Sequence, residues 1–487
     1  NIYMKKRMFI VLLAAMLLCG NACSQSADTD NPDGNSTVNT NTTTESEETI
    51  PEWVLPDTDW GGETITFLLR HTPDDWSADD VLAEEMNGTP VNDAVYQRNM
   101  VVEDRYNVQI TGYDAPMDHS VYKPVIASVQ AGDDAFDVIT SYRSDAVKFM
   151  QEKAILNLCE TDYLQLDRSW WNPYYSETAS IGGKIFYVLG DISRVYKLGV
   201  RCLFFNKDLA ADIGLPDLYE TVRSNQWTFD TFFAMVEQGS MDIDGDGKMT
   251  EADCYGIQAQ SSLGIVMAIS GGVKISAKDE NDYPALTLDD ARYIDCITEL
   301  TDWISAGKEQ TIHYCDVWLK TQTRFSSNQA LFQAEVMLLI EALRESEVNI
   351  GILPMPMYDE AQTEYISYLD SWCQNTYSIP VTCGRTPFVS FILEAMAQES
   401  ITTLTPAFYD VCLTGKYVRD EESAEMLDII FAHTRIENAE CYGWGSMYSK
   451  LQAAILNGKP VASVIESAMA SAQTGIEKTI AIINGEN

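Results

Sequence analysis

Through most of this 487-residue chain, short apolar stretches alternate with longer stretches of helical periodicity. That alternation limits the fold more than any other feature. "TITFLLR" is a strand-length apolar run. "PVNDAVYQRNMVVEDRYNVQITGYD" carries a helical stripe of Val91, Ala94, Val95, Val101 and Val102, followed by a strand expected over Asn107–Tyr113. Val121–Gln130 reads as a helix, "AFDVITS" as a buried strand, and "SDAVKFMQEKAILNL" as a helix entering extended chain. Elements in this order specify an α/β lobe with a largely parallel sheet. Further on, "KIFYVLGDISRVYKLGVRCLFFNKDLAADIGL" adds two strands, and "WTFDTFFAMVEQ" is a helix with Thr228 at its N-cap. From about Thr386 the chain reads as almost wholly helical.

The N-terminal region bears on location. Lys5, Lys6 and Arg7 precede the apolar run Met8–Leu18, which is short of the ~20 residues of a membrane span and fits a secretory signal. The following "LLCGNACSQS" resembles a bacterial lipobox in which Cys23 is lipidated, although Gly20 stands where Leu is usual. Ordinary cleavage and release is the alternative. Ser24–Ile50 has no aromatic residue, so a tether is expected over 24–58, after a signal segment at 1–23. The chain is then expected outside the cell, lipid-anchored to the outer face of a bacterial cytoplasmic membrane.

About 430 residues remain, more than one core usually serves, so two lobes are expected. The reading assigns 59–197 and 333–380 to the first α/β lobe, and 198–332 and 381–487 to the second. A formal net charge of -41 repels phosphate backbones and excludes nucleic acid as a partner. The eleven cysteines show no CxxC pair and no zinc spacing, so buried thiols are the default. A Cys373–Cys383 bridge stays open.

"SMDIDGDGKMTEADCYGI" is the most specific motif. Asp242, Asp244, Asp246 and Asp253 occupy positions 1, 3, 5 and 12 of a calcium loop, and Gly247 occupies position 6. The Lys248 carbonyl and Thr250 would complete an oxygen shell. The motif occurs once, and "CYGIQAQ" leaves it as a strand rather than a second helix. A sensor needs paired loops that open a groove; a single loop reads as a structural Ca2+ rivet inside the second lobe.

With that loop in place, "NQWTFDTFFAMVEQGSMDIDGDGKMTEADCYGI" resembles the helix, acidic loop and strand of extracellular solute-binding proteins of carbohydrate ABC importers. "FDVITSYRSDAVKFMQEKAILNL", "WWNPYYSETASIGGKIFYVLGDIS", "CLFFNKDLAADIGLPDLYETV" and "GILPMP" are similar to the same family in the same order, from about Trp60 to the C-terminus. The resemblance implies a two-lobe, periplasmic-binding-protein-like α/β fold with a hinged cleft. It also implies a sugar or oligosaccharide ligand and delivery to ABC permease subunits.

Sugar sites pair aromatic platforms with carboxylates, amides and guanidinium donors. "SYRSD" follows a strand at its carboxyl end, where open α/β sheets bind ligands; the resemblance puts Tyr142, Arg143 and Asp145 at first-lobe sugar contacts, with a plain surface pair as the alternative for the last two. "SWWNPYYS" offers Trp170 and Tyr174 to the cleft, with Trp171 expected as a packing wedge. Asp191 precedes the first hinge, and Trp372 and Asn375 precede the next crossing strand. By resemblance, Trp444 and Tyr448 fall near a C-terminal stacking aromatic. Trp227, Trp303 and Trp318 are expected in the core. Four dispersed histidines and no G-x-S-x-G, P-loop or H-E-x-x-H motif point away from an enzyme. A glycoside hydrolase stays open, because acidic residues are abundant, and so does a surface glycan-binding adhesin.

Overall fold

The structure is a computed structural model describing residues 54–70, 80–114, 120–307, 309–317, 320–343, 346–413 and 421–486. The expected signal, Cys23, nearly all of the tether and Trp318 lie outside the described residues. In chain order the strands are β1 (Glu63–Leu69), β2 (Val108–Asp114), β3 (Val138–Ser141), β4 (Arg201–Asn206), β5 (Tyr255–Ala259), β6 (Ser276–Lys278) and β7 (Pro284–Leu286). They continue with β8 (Ile312–Tyr314), β9 (Ala330–Val336), β10 (Ile350–Leu353), β11 (Ser367–Tyr368), β12 (Thr376–Ser378) and β13 (Thr434–Arg435).

Two sheets carry the architecture. The first has order β12-β3-β1-β2, with β1 parallel to β2 and β3, and β12 antiparallel to β3. The second has order β10-β4-β9-β5-β8, with β5 parallel to β8 and β9, and β4 antiparallel to β9 and β10. Every residue of β3, β4, β5, β9 and β10 is buried, as expected for strands covered on both faces by helices. Helix Pro90–Tyr106 buries Val91, Ala94, Val95 and Val102 as its stripe predicts, whereas Val101 is exposed.

The expected lobe boundaries differ from the observed pairing. The sequence pattern places 333–353 in the first lobe, yet β9 and β10 flank β4 in the second sheet. Conversely, helix Thr386–Ser400 packs Phe388, Phe391 and Ile392 onto the first-sheet core around Ile65 and Phe67. Strand pairing decides both cases: an apolar run joins the sheet whose register completes its ladder, which local pattern does not specify.

Three passages connect the sheets. Val188 bridges Tyr377, Val200 bridges Leu369, and β11 lies parallel to β13. Backbones approach closely here: a Cβ on Gly199 would lie 2.5 Å from the Cys373 Cβ. Contacts are dense enough that the chain from Leu55 onward packs as one unit.

Helix Phe229–Gln238 inserts Phe229, Phe232, Met235 and Val236 beneath the second sheet. Thr228 is its N-cap, but the side chain caps no backbone N–H; its hydroxyl donates to Thr231 Oγ1 at 3.3 Å. Trp227 is fully buried, with its indole N–H on the Pro354 carbonyl at 2.9 Å. At the helix end, Ser240 Oγ donates to the Val236 carbonyl and accepts the Gly256 N–H, both at 2.9 Å. That close packing explains the glycine of the "YGI" strand, because a Cβ on Gly256 would sit 1.9 Å from the Val236 carbonyl oxygen. Gly256→Ala is therefore expected to cost about 3 kcal/mol by forcing β5 off this helix; urea unfolding measures it, and a loss within experimental scatter would contradict the packing.

Candidate ligand-binding site

The passages bring together charged groups that an apolar core would ordinarily exclude. Arg201 opens β4 beside the carboxyl ends of β5 and β9, where α/β sheets place ligands. Its Nη1 donates to Glu335 Oε1 at 2.9 Å, and its Nη2 donates to Asp370 Oδ2 at 2.6 Å and to Gln260 Oε1 at 3.0 Å. Its Nε also reaches Asp370 Oδ2, at 3.1 Å. Burial alone would lower the pKa of this guanidinium, and Asp370 and Glu335 more than reverse that. Two carboxylates face one cation, so the cluster favours an extra proton: burial raises Glu335 in spite of Arg201.

Asp370 also accepts the Trp372 backbone N–H at 3.4 Å, which caps the turn Ser371–Cys373. The Arg201–Asp370 contact thus fixes the turn that presents Trp372, a tryptophan 37% exposed. The Cys373 thiol has Asp370, Arg70, Arg201 and Glu335 as its charged neighbours, which sets this turn between the two sheets. On the first-sheet side, the Arg70 guanidinium lies 3.7 Å over the Tyr142 ring. Asn375 is buried, and neither amide atom has a hydrogen-bond partner among the described residues. Glu440 accepts Tyr368 OH at 2.6 Å and Ser371 Oγ at 2.8 Å. Its pKa is pushed up to about 7, by burial first and then by Asp370. Tyr448 leans on Tyr368 with ring centroids 6.4 Å apart. Exposed indole, phenols, a buried free amide and a carboxylate–guanidinium cluster make a surface suited to hydroxyls and C–H faces.

The acidic loop lies between helix Phe229–Gln238 and β5, closed by a Met241–Cys254 bridge. Asp242, Asp244 and Asp246 bring carboxylate oxygens within 4.8 Å of one another, and Gly245 and Gly247 turn the backbone with φ of 74° and 80°. An Asp246 N–H bond lowers the Asp244 pKa, but desolvation and the charges of Asp246, Asp253 and Asp242 raise it on balance. Asp253 stands apart: its oxygens accept the Ile243 N–H at 2.8 Å and the Thr250 N–H and Oγ1 at 2.7 and 2.9 Å. Those bonds, Ile243 first, depress its pKa. Three exposed carboxylates with only oxygen donors fit a hard divalent cation.

No family model and no curated relative matches the chain by sequence. Solved structures do match. The GacH receptor of Streptomyces glaucescens, solved unliganded and with acarbose, aligns over 88% of this chain and 100% of its own, with TM-score 0.51 and 13% identity. The ABC substrate-binding protein Lmo0181 of Listeria monocytogenes, solved with cycloalternan, aligns over 85% and 99%, with TM-score 0.51 and 13% identity. A cyclo/maltodextrin-binding protein complexed with maltotetraose aligns over 87% and 96%, with TM-score 0.54 and 10% identity. The fold is that of the carbohydrate-binding ABC solute-binding proteins.

Within the solute-binding fold, the expected contact residues divide. Trp372 and Tyr448 stand beside the Arg201 cluster, Tyr142 lies under Arg70, and Asn375 is buried on the approach to β12. Arg143 is fully buried and donates to the Glu437 carbonyl at 3.1 Å and to Asn438 Oδ1. Asp145 is buried and accepts Ser120 Oγ at 2.7 Å. Trp170 and Trp171 both send indole N–H groups to the buried Glu394, at 2.9 and 2.7 Å, so Trp170 shares the wedge role. Asp191 is engaged by Tyr196 OH at 3.0 Å and by Lys197. Trp444 is buried, with its N–H on Thr479 Oγ1 at 2.9 Å and its ring stacked 5.0 Å from Tyr442, so it offers no face to a ligand. Tyr174 is 43% exposed and meets His433 edge-on. Cys373 and Cys383 are free thiols.

The sequence reading missed Arg201, Glu335, Gln260, Asp370 and Glu440. The signal was present: "GVRCLFFN" and "LFQAEVMLLI" carry one charge each inside apolar runs, and a charge in a buried strand needs a partner.

Glu440 gives a pH test. Its folded-state pKa of about 7 lies above the ordinary 4.5, so its contribution to stability is complete below pH 4.5 and is lost as pH rises through 7. Between pH 4.5 and 8 the unfolding free energy of the wild type should fall by about 1–3 kcal/mol relative to Glu440→Gln. Urea titrations at the two pH values measure this, and a pH-independent difference would contradict it.

Proposed function

We propose that the chain is a receptor that captures a carbohydrate, an oligosaccharide in particular, between its lobes and hands it unaltered to an ABC permease. The Arg201–Asp370–Glu335 cluster carries the reading. It lies at the strand ends of a fold whose solved neighbours are sugar receptors, and it holds Trp372 on display. Lobe closure follows when one ligand contacts both sides, which favours the closed over the open state. No helix among the described residues is long and apolar enough to cross a membrane; anchoring through a lipidated Cys23 belongs to the same proposal and would keep the receptor beside its permease.

Titration of a glycan library against intrinsic fluorescence tests the reading. At least one oligosaccharide should shift the emission, and Trp372→Ala should weaken that ligand about tenfold or more while leaving the melting temperature within ~2 °C. No shift with any glycan would overturn it, and product formation on prolonged incubation would make the protein a hydrolase.

Calcium in the acidic loop is proposed as a brace, held by Asp242, Asp244, Asp246, the Lys248 carbonyl and Thr250, with Asp253 fixing the loop from beneath. Chelation should lower the melting temperature by several degrees, and added Ca2+ should restore it. Asp244→Asn should remove the effect without altering glycan affinity. A melting temperature insensitive to chelator would exclude the brace.

A further inference from the structure

A second feature lies apart from the Arg201 cluster. A cavity of about 260 Å³ opens between helix Pro173–Ala179, the β6–β7 hairpin and the segment after β13, with Thr178, Lys274, Ser276, Arg435 and Asn438 on its walls. In a chain of net charge -41, two of these wall residues are cations that no carboxylate contacts directly, although Glu177 lies near Lys274, and Glu437 and Glu364 lie near Arg435. Neither Lys274 nor Arg435 makes an ion pair or a side-chain hydrogen bond among the described residues, and Arg435 Nη1 is buried with no acceptor. Burial and then the nearby Arg435 charge lower the Lys274 pKa against the pull of Glu177, and burial lowers that of Arg435 against Tyr293, Glu437 and Glu364, so the carboxylates nearby do not fully offset the burial of the two cations.

The remaining charges on the walls are accounted for. Lys278 pairs with Asp282 at 2.6 Å. Glu437 turns its carboxylate to the Ile275 and Ala439 N–H groups, each at 3.0 Å, and burial raises its pKa. Glu177 is an exposed rim residue that also lines the cavity. Asn438 is fixed on both sides, donating to the Thr178 carbonyl at 2.9 Å and accepting from Arg143.

We infer that this cavity binds the carboxylate of an acidic sugar, with Lys274 and Arg435 as the receiving cations; the Ser276 and Thr178 hydroxyls, which donate to Glu437 Oε1 at 3.3 Å and to the Tyr174 carbonyl at 2.8 Å, are placed to accept from the sugar's own hydroxyls. The volume lies just below the ~300–1,000 Å³ of ordinary ligand pockets, which suits one sugar ring better than a chain. A singly charged carboxylate also suits walls that carry Glu177 and Glu437 better than a doubly charged phosphate does, because like charges inside a cleft oppose entry. The planar fork of Arg435 matches a carboxylate's two oxygens. The inference rests on the sugar-receptor reading and deepens it to acidic glycans.

Calorimetry of the full chain with D-glucuronate, D-glucose and inorganic phosphate at low salt tests it. Glucuronate should bind at least tenfold tighter than glucose, and both Arg435→Gln and Lys274→Gln should reduce that preference to within about twofold. Melting curves of both variants verify that they fold. Equal binding of glucuronate and glucose, or a preference that survives both substitutions, would overturn the inference. Phosphate binding tighter than glucuronate would also overturn it, leaving a simple anion trap. The receptor reading is read separately, from neutral oligosaccharides and Trp372→Ala, so failure of one is distinguishable from failure of the other.

Discussion

Buried arginine is the interaction on which the rest of this structure depends. Each passage between the sheets is clamped by one. Arg98 donates to the Ile192 carbonyl at 2.9 Å in the first, Arg201 to Asp370 at 2.6 Å in the second, and Arg143 to the Glu437 carbonyl at 3.1 Å in the third. Arginine suits this position because its fork holds several acceptors in fixed directions and it cannot escape burial by losing its proton. Arg98 shows the pattern most fully: it also reaches the carbonyls of Asp80 and Val81, at 2.9 and 3.1 Å, and so ties three separate chain segments together. Breaking such a contact leaves a buried charge or carbonyl unpaired, which costs far more than the contact's net contribution.

The same clamps position the candidate site. Arg201 fixes Asp370, Asp370 fixes the turn bearing Trp372, and Asn375 follows on the approach to β12. Arg143 holds Glu437 and Asn438, which form one wall of the cationic cavity. The candidate ligand surfaces are thus extensions of the contacts that join the two sheets rather than loops placed independently on a scaffold. In the proposed receptor this would be mechanically economical, because the groups that fasten the two sheets to one another also position the candidate contact residues.

How much of this was legible in the sequence follows from what each feature depends on. Strand and helix alternation depends on local periodicity, so β1, β2, β3 and the stripe of helix Pro90–Tyr106 could be read directly. The acidic loop has fixed spacing, and its flanking helix and strand are where the pattern puts them. Sheet membership of β9, β10 and helix Thr386–Ser400 depends on pairing over more than a hundred residues, which no local pattern encodes. Aromatic residues were the weakest guide. Trp170 and Trp444 have the same composition signal as Trp372, but an indole N–H is satisfied equally well by a buried Glu394 or Thr479 as by a ligand hydroxyl. The charges embedded in apolar strands were the more informative sign, because burial of a charge demands an explanation and burial of an indole does not.

The distribution of charge joins these observations. With 73 acidic and 32 basic residues, the surface carries anions in excess, while Arg70, Arg98, Arg143, Arg194, Arg201 and Arg324 are all buried. Arg98, Arg143 and Arg201 meet interior acceptors, so they leave the acidic exterior largely unneutralised, and that exterior keeps the molecules apart in solution. An exposed cation in such a chain, as at Lys248 or Lys450, is open to carboxylates on neighbouring molecules. Lys274 and Arg435 differ in being recessed in a cavity, where a large acidic surface cannot follow but a single small anion can. Net charge alone would predict that the protein rejects acidic ligands. The recessed placement of Lys274 and Arg435 argues the opposite for a ligand small enough to enter.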